Sequence, residues 1–188
     1  REAGELGEDQ VVATDRGAVR PRLTSCSEPP GSLVQKLLVM RHFPTFFDLK
    51  DRTVLVVGGT PQAAQRIELL LSAGARVAVI ARTLEPAIAE HVMEGRVAWS
   101  SASFKADDLI GVTLAFVASG DRDLDALVTE AARVARVPVN VVDQPERCDF
   151  IMPAIVDRGT VTIGISTGGS SPVLARSLRA RIEAALPA

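Results

Sequence analysis

Asp143 closes the run Val139-Asn140-Val141-Val142-Asp143, which reads as a buried strand followed at once by a carboxylate. A carboxylate just past the carboxyl end of a strand stands where open α/β sheets receive ligands, and there it can take up or return a proton. Asp143 is therefore the first candidate for a catalytic acid or base. A local role is the alternative, because an aspartate before a turn bonds its own backbone and Gln144-Pro145-Glu146 follows. The residues alone leave both open.

Two other segments have the composition to bind anions. Ser166-Thr167-Gly168-Gly169-Ser170-Ser171-Pro172 is a small, hydroxyl-rich turn leading into a helix. Its N–H groups and the helix dipole can receive carboxylates or phosphates, although an ordinary loop with an N-cap explains Ser171 and Pro172 alone. The other segment is Gly58-Gly59-Thr60-Pro61-Gln62-Ala63. A dinucleotide fingerprint wants a glycine for the turn, a second where the backbone meets the diphosphate and a third small residue for packing. Those positions read Gly58, Thr60 and Ala63. A side chain at Thr60 implies that the loop shifts or that its hydroxyl bonds the phosphate; a phosphate site that has decayed is the other reading. After the second strand, Ala81-Arg82-Thr83 stands where an acidic residue often selects NAD. Arg82 fits either a ribose phosphate, hence NADP, or a solvated surface.

These groups need elements to hold them. Thr53-Val54-Leu55-Val56-Val57 is a continuous apolar and β-branched run, as expected of a strand covered on both faces. Pro61 suits a first helical turn, and Ala63, Ala64, Ile67, Leu70 and Leu71 form a stripe ending at Gly74. Strands follow at Arg76 to Ala81, Val97 to Ser100, Val112 to Ala118 and Val137 to Val142, with helices at Glu85 to Glu94 and about Asp123 to Arg136. The alternation predicts an α/β fold, a Rossmann-like doubly wound parallel sheet. Phe150 to Val156 and Thr160 to Ser166 then flank Asp157-Arg158-Gly159, a β-hairpin signal, and a C-terminal helix capped by Ser171 runs through Leu186.

Composition narrows the function. With 188 residues, 21 basic against 23 acidic side chains and 4% aromatics, the chain offers no basic stripe or stacking surface for nucleic acid. No apolar run approaches the roughly 20 residues of a membrane span. Cys26 and Cys148 match no disulfide or metal spacing and fit a reducing cytoplasm. Neither His42 nor His91 suggests a metal site or a triad; His91 is placed on a surface helix, and both read as structural. The chain has no tyrosine, which excludes the Tyr-Lys pair of short-chain dehydrogenases. Residues 1–39 mix Gly, Glu, Arg, Pro and Ser without periodicity and are expected to be a disordered or non-native leader, with Met40 as a native start.

Taken in order, several segments resemble one family, the precorrin-2 dehydrogenases and sirohydrochlorin ferrochelatases found alone or as the N-terminal module of siroheme synthase. They are Phe43 to Arg52, Val56-Val57-Gly58-Gly59, Leu69 to Ala75, Asn140-Val141-Val142-Asp143, Phe150 to Ala154 and Ser166 to Arg176. The resemblance implies NAD-dependent oxidation of precorrin-2 to sirohydrochlorin in siroheme biosynthesis, with insertion of ferrous iron, a substrate, as a second step. The family's catalytic aspartate falls on Asp143. Its cofactor contacts fall on Pro61, Gln62, Arg82 and Thr83; with the Gly58-Gly59-Thr60 turn these are the candidate cofactor residues, and Asn140, Thr167, Gly168, Gly169, Ser170 and Ser171 are the candidate substrate contacts. Residues 40–148 would be the NAD-binding domain and 149–188 the start of a dimerisation and tetrapyrrole-binding region, implying a homodimer where the family's full C-terminal region is present. NADP stays open as the cofactor. The competing expectation is a non-catalytic tetrapyrrole- or nucleotide-binding protein that keeps the fold around a decayed dehydrogenase site.

Overall fold

The computed structural model describes residues 41–186. The expected leader, Met40 as a start, and Cys26 lie outside the described residues. Five strands, β1 (Thr53–Val57), β2 (Arg76–Ile80), β3 (Val97–Ser100), β4 (Val112–Val117) and β5 (Val139–Val141), form one sheet in the order β3-β2-β1-β4-β5. Every pairing in it is parallel. This is the expected doubly wound arrangement, and the strand order reverses between β1 and β4. Ligand crevices of such sheets open at that point, outside the carboxyl ends of the strands.

The side-chain period of a strand explains the two layers. Val54 and Val56 face one side with Ala63, Ile67 and Leu70 of α1 (Pro61–Ser72) and Ile88 of α2 (Pro86–Met93). Leu55 and Val57 face the other with Val128 and Ala132 of α3 (Arg122–Ala135). Four consecutive β1 residues are buried because helices cover both faces, so the strand reads as an unbroken apolar run rather than an alternation. Each such aliphatic side chain contributes about 1.5–3 kcal/mol through burial.

Beyond the sheet, β6 (Ala154–Asp157) and β7 (Thr162–Ile165) form an antiparallel hairpin, followed by α4 (Pro172–Ala185). The hairpin strands are shorter than the apolar runs suggest. Arg158 N–H bonds the Val161 carbonyl at 3.0 Å, so the reversal takes Arg158 to Val161 rather than ending at Gly159. Arg158 then reaches the carbonyls of Glu183 at 3.1 Å and Leu186 at 3.5 Å, satisfying the open end of α4. Ser171 caps the other end, accepting from Leu174 N–H at 3.3 Å.

β5 covers only Val139–Val141, less than the expected Val137 to Val142. Pro138 has no N–H to give the ladder, and Val142 already belongs to the turn that carries Asp143. His91 departs from the surface position expected for it. It shares the inner stripe of α2 with Ile88, three residues earlier, is 6% exposed, and its Nε2 lies 2.6 Å from Glu68 Oε1 of α1. The helix is amphipathic, and the imidazole is on its buried side.

Candidate functional site

The glycine turn is built by close approach. A Cβ at Gly58, whose φ is +121°, would stand 2.1 Å from the Ala118 carbonyl oxygen, and one at Gly59 would stand 1.9 Å from that of Thr83. The turn is thereby pinched between the ends of β4 and β2, and Glu85 N–H bonds the Gly59 carbonyl at 2.9 Å. Thr60 is the N-cap of α1: its hydroxyl accepts from Ala63 N–H at 3.3 Å and donates to the Ala118 carbonyl at 2.9 Å. Beside the two expectations for Thr60, a shifted loop or a hydroxyl on the phosphate, stands this third arrangement, in which the hydroxyl holds the turn itself. The hydroxyl's single proton is committed within the protein. Helix geometry leaves the Gln62 N–H without an acceptor inside α1, and Pro61 has none to offer.

A cleft of about 200 Å³ opens beside this turn, lined by Thr60, Gln62, Ala118, Asp125, Asp143 and Gln144 among others. Asp143 is exposed and adopts φ 60°, the left-handed region that aspartate tolerates in turns. The turn is held from below. Gln144 Nε2 donates to Asp125 Oδ2 at 2.6 Å, and Ser119 Oγ donates to Asp125 Oδ1 at 2.6 Å. Asp125 is only 4% exposed, a buried carboxylate in α3 that sequence reasoning passed over. Cys148 closes the turn from the other side, its sulfur accepting from Val141 N–H at 3.2 Å. Burial pushes the Cys148 thiol above its ordinary range, and the carboxylates of Glu146 and Asp149 push the same way.

A second cleft, of about 310 Å³, lies between the hairpin, α4 and α1. Thr167, Gly168 and Gly169 line it beside Met152, Ile165 and Arg66. Ser170 and Ser171 do not, and several donors of the hydroxyl turn are satisfied within it: Ser171 N–H bonds Thr167 Oγ1 at 3.2 Å, Ser170 N–H the Thr167 carbonyl at 3.1 Å, and Gly168 N–H Ser166 Oγ at 3.1 Å. Arg66 is half-buried in α1; desolvation lowers its ordinary pKa while the negative charge of Asp143 raises it. Sequence reasoning missed it.

Of the expected residues, Gly58, Gly59, Pro61, Arg82, Thr83, Asn140, Ser170 and Ser171 line neither cleft. Asn140 is buried at 6% exposure, and its amide donates to the Phe150 carbonyl at 2.8 Å, tying β5 to the segment before the hairpin. One amide hydrogen is thereby engaged inside the protein. Arg82 and Thr83 are exposed just after β2, with Thr83 meeting the glycine turn through its backbone.

Residues 45–154 match a protein-family model described as "Putative NAD(P)-binding", more than half of the sequence. The chain belongs to this NAD(P)-binding family. Residues 158–185 match a second model, the sirohaem biosynthesis protein central region. Among curated proteins, the siroheme synthase of Methylococcus capsulatus is 47% identical over 148 residues, covering 79% of this chain and 31% of that protein. Siroheme synthase 1 of Pectobacterium atrosepticum is 47% identical over 150 residues, again 79% and 31%. The chain thus spans under a third of the length of these relatives. A solved structure described as SirC, precorrin-2 dehydrogenase, superposes with a TM-score of 0.65 at 28% identity, covering 78% of this chain and 72% of that one. The sheet, hairpin and final helix are the fold shared with it. Among the described residues no helix is long and apolar enough to cross a membrane.

Proposed function

We propose that the chain oxidises precorrin-2 to sirohydrochlorin with NAD as hydride acceptor. The observation that carries this reading is the Val142 to Pro145 turn, a wall shared by two clefts: Asp143 and Gln144 line the one beside the glycine turn, and Pro145 lines the one beside the hairpin. The first cleft opens at the β1/β4 reversal, beside the free N–H of Gln62 at the positive end of α1, and this suits a diphosphate. NAD, when bound, supplies a nicotinamide that takes two electrons with one hydrogen. Asp143 then accepts the proton that the substrate loses, which balances the oxidation. Gln144 and Asp125 hold the turn that carries this carboxylate. Thr167, Gly168 and Gly169 contact the tetrapyrrole in the second cleft.

The relatives named siroheme synthase and precorrin-2 dehydrogenase support this substrate. Arg82, exposed and in no ion pair among the described residues, offers a ribose phosphate a partner, so NADP is assayed beside NAD. Residues 40–148 carry the cofactor in this reading, and 149–188 most of the tetrapyrrole surface. Asp143 is placed to take a pyrrole proton if ferrous iron is inserted afterwards as substrate. Val173 and Leu174 of α4 are 68% and 50% exposed, which supports a homodimer that covers them. The free thiol of Cys148 suits the reducing cytoplasm.

Anaerobic incubation of the full chain with precorrin-2 and NAD tests the reading, with reduced cofactor and sirohydrochlorin followed together. Equal amounts of the two are expected. Folded protein that binds sirohydrochlorin yet forms no reduced cofactor would replace the enzyme by a non-catalytic binder.

A further inference from the structure

The second cleft has two chemical halves. Ile151, Met152, Ile165 and Ala175 give it an apolar wall, while Arg66, Arg41 and His42 stand on its lining as the ionisable side chains. No aspartate or glutamate lines it. Arg66 is the least ordinary of the three. Its Nε is buried with no hydrogen-bond partner, and its guanidinium makes no ion pair among the described residues. A half-buried guanidinium whose Nε lacks a partner is matched in geometry and charge by a carboxylate, which can take two parallel N–H bonds from its donor fork. Partial burial strengthens that attraction relative to a solvated arginine. The same side chain is near enough to Asp143 to feel its charge. An anion held on Arg66 therefore brings whatever carries it beside the candidate base.

We propose that Arg66, with Arg41 and His42 on the lining of the same cleft, is a carboxylate-binding subsite that anchors a polycarboxylate ring against the apolar wall and aligns the ring's edge with Asp143. The proposal rests on the tetrapyrrole reading for the identity of the ring, but not for the anion. Arg66 is in this account a substrate-binding and specificity-determining residue. Lysine cannot replace it fully, because a point charge lacks the two-pronged donor geometry.

The test uses the full chain and two probes, sirohydrochlorin and benzenehexacarboxylate, a flat polycarboxylate unrelated to tetrapyrroles. Dissociation constants are measured for the unaltered chain, Arg66→Met and Arg66→Lys, with reduced NAD affinity and thermal midpoint as controls of folding. Arg66→Met is expected to weaken binding at least about tenfold with a shallower salt dependence, Arg66→Lys by less, and reduced NAD binding is expected to hold. If Arg66→Met does not fold, Arg66→Lys decides by the same criterion. Arginine-dependent binding of benzenehexacarboxylate without any binding of sirohydrochlorin keeps the subsite and removes the tetrapyrrole reading. Sirohydrochlorin binding that is equally tight in folded Arg66→Met overturns the subsite and leaves the tetrapyrrole reading standing. Failure of the unaltered chain to bind either probe overturns both.

Discussion

Thr60 and Ala118 are joined across the point where the sheet reverses its strand order: the threonine hydroxyl donates to the alanine carbonyl at 2.9 Å, linking positions 58 residues apart. The same oxygen caps α1 by accepting from Ala63 N–H. A residue that breaks the glycine fingerprint thus has a structural task at the place where the fingerprint would put a phosphate contact. Thr60→Ala is expected to lower stability by about 1 kcal/mol, the usual cost of a lost N-cap, and Thr60→Ser to restore most of it. Denaturant midpoints of the two variants check this; equal midpoints would mean that the bond to Ala118 contributes nothing.

The glycine turn makes a sharper demand. An alanine at Gly58 would need the left-handed region and would also meet the Ala118 oxygen at 2.1 Å. The backbone strain alone costs about 1–3 kcal/mol, so Gly58→Ala is expected to be less stable than Thr60→Ala and to lose cofactor affinity as the turn opens. Fluorescence titration with reduced NAD and thermal melting together would show both, and a stable variant of unchanged affinity would contradict the close packing of Gly58 on Ala118.

Gln144 offers a test of positioning. Gln144→Ala leaves the buried Asp125 without one of its two side-chain donors, at 2.6 Å in the structure. Leaving that acceptor short costs about 1–3 kcal/mol, and the turn that carries Asp143 loses its anchor. The expected kinetic signature is a fall in kcat with little change in KM, because the lost element orients a base rather than binding substrate. A change confined to KM would instead make Gln144 a substrate contact.

Cys148 predicts a dependence on pH. Its folded pKa is raised above the ordinary value of 9.0 by burial, so the folded chain holds the thiol proton more tightly than the unfolded chain. The contribution is fully present below the unfolded value and is lost as pH rises through the folded one. Stability should therefore decline above about pH 9, and Cys148→Ala should flatten that limb of the curve. Unfolding free energies of both proteins across the alkaline range check the sign.

Much of the fold was readable because its signals are local. The unbroken β1 run, the Pro61 start of α1 and the Ser171 cap each announce themselves within a few residues. Asp143 was readable for the same reason, as a carboxylate following an apolar strand. Arg66 and Asp125 were not. Arg66 follows Gln65, with Glu68 two residues on, and reads as a polar face; only the approach of the hairpin and the Asp143 turn makes a cleft of it. Asp125 reads as an ordinary acid near a helix start, favourable to the dipole, and its burial against Ser119 and Gln144 is a tertiary fact. Thr60 is a different case. Threonine before proline and an apolar stripe is an N-cap signal, yet the same position is the second glycine of a nucleotide fingerprint, so its residue type carries two local meanings.

The central claim is that Asp143, on the wall between the two clefts, takes the proton in the oxidation. The most direct measurement compares Asp143→Asn with the unaltered chain in anaerobic precorrin-2 oxidation, alongside their affinities for reduced NAD and sirohydrochlorin. Turnover is expected to fall at least about 100-fold, with both affinities within a few-fold of the original, since a general base contributes to the transition state and little to binding. Unchanged turnover by Asp143→Asn would contradict it.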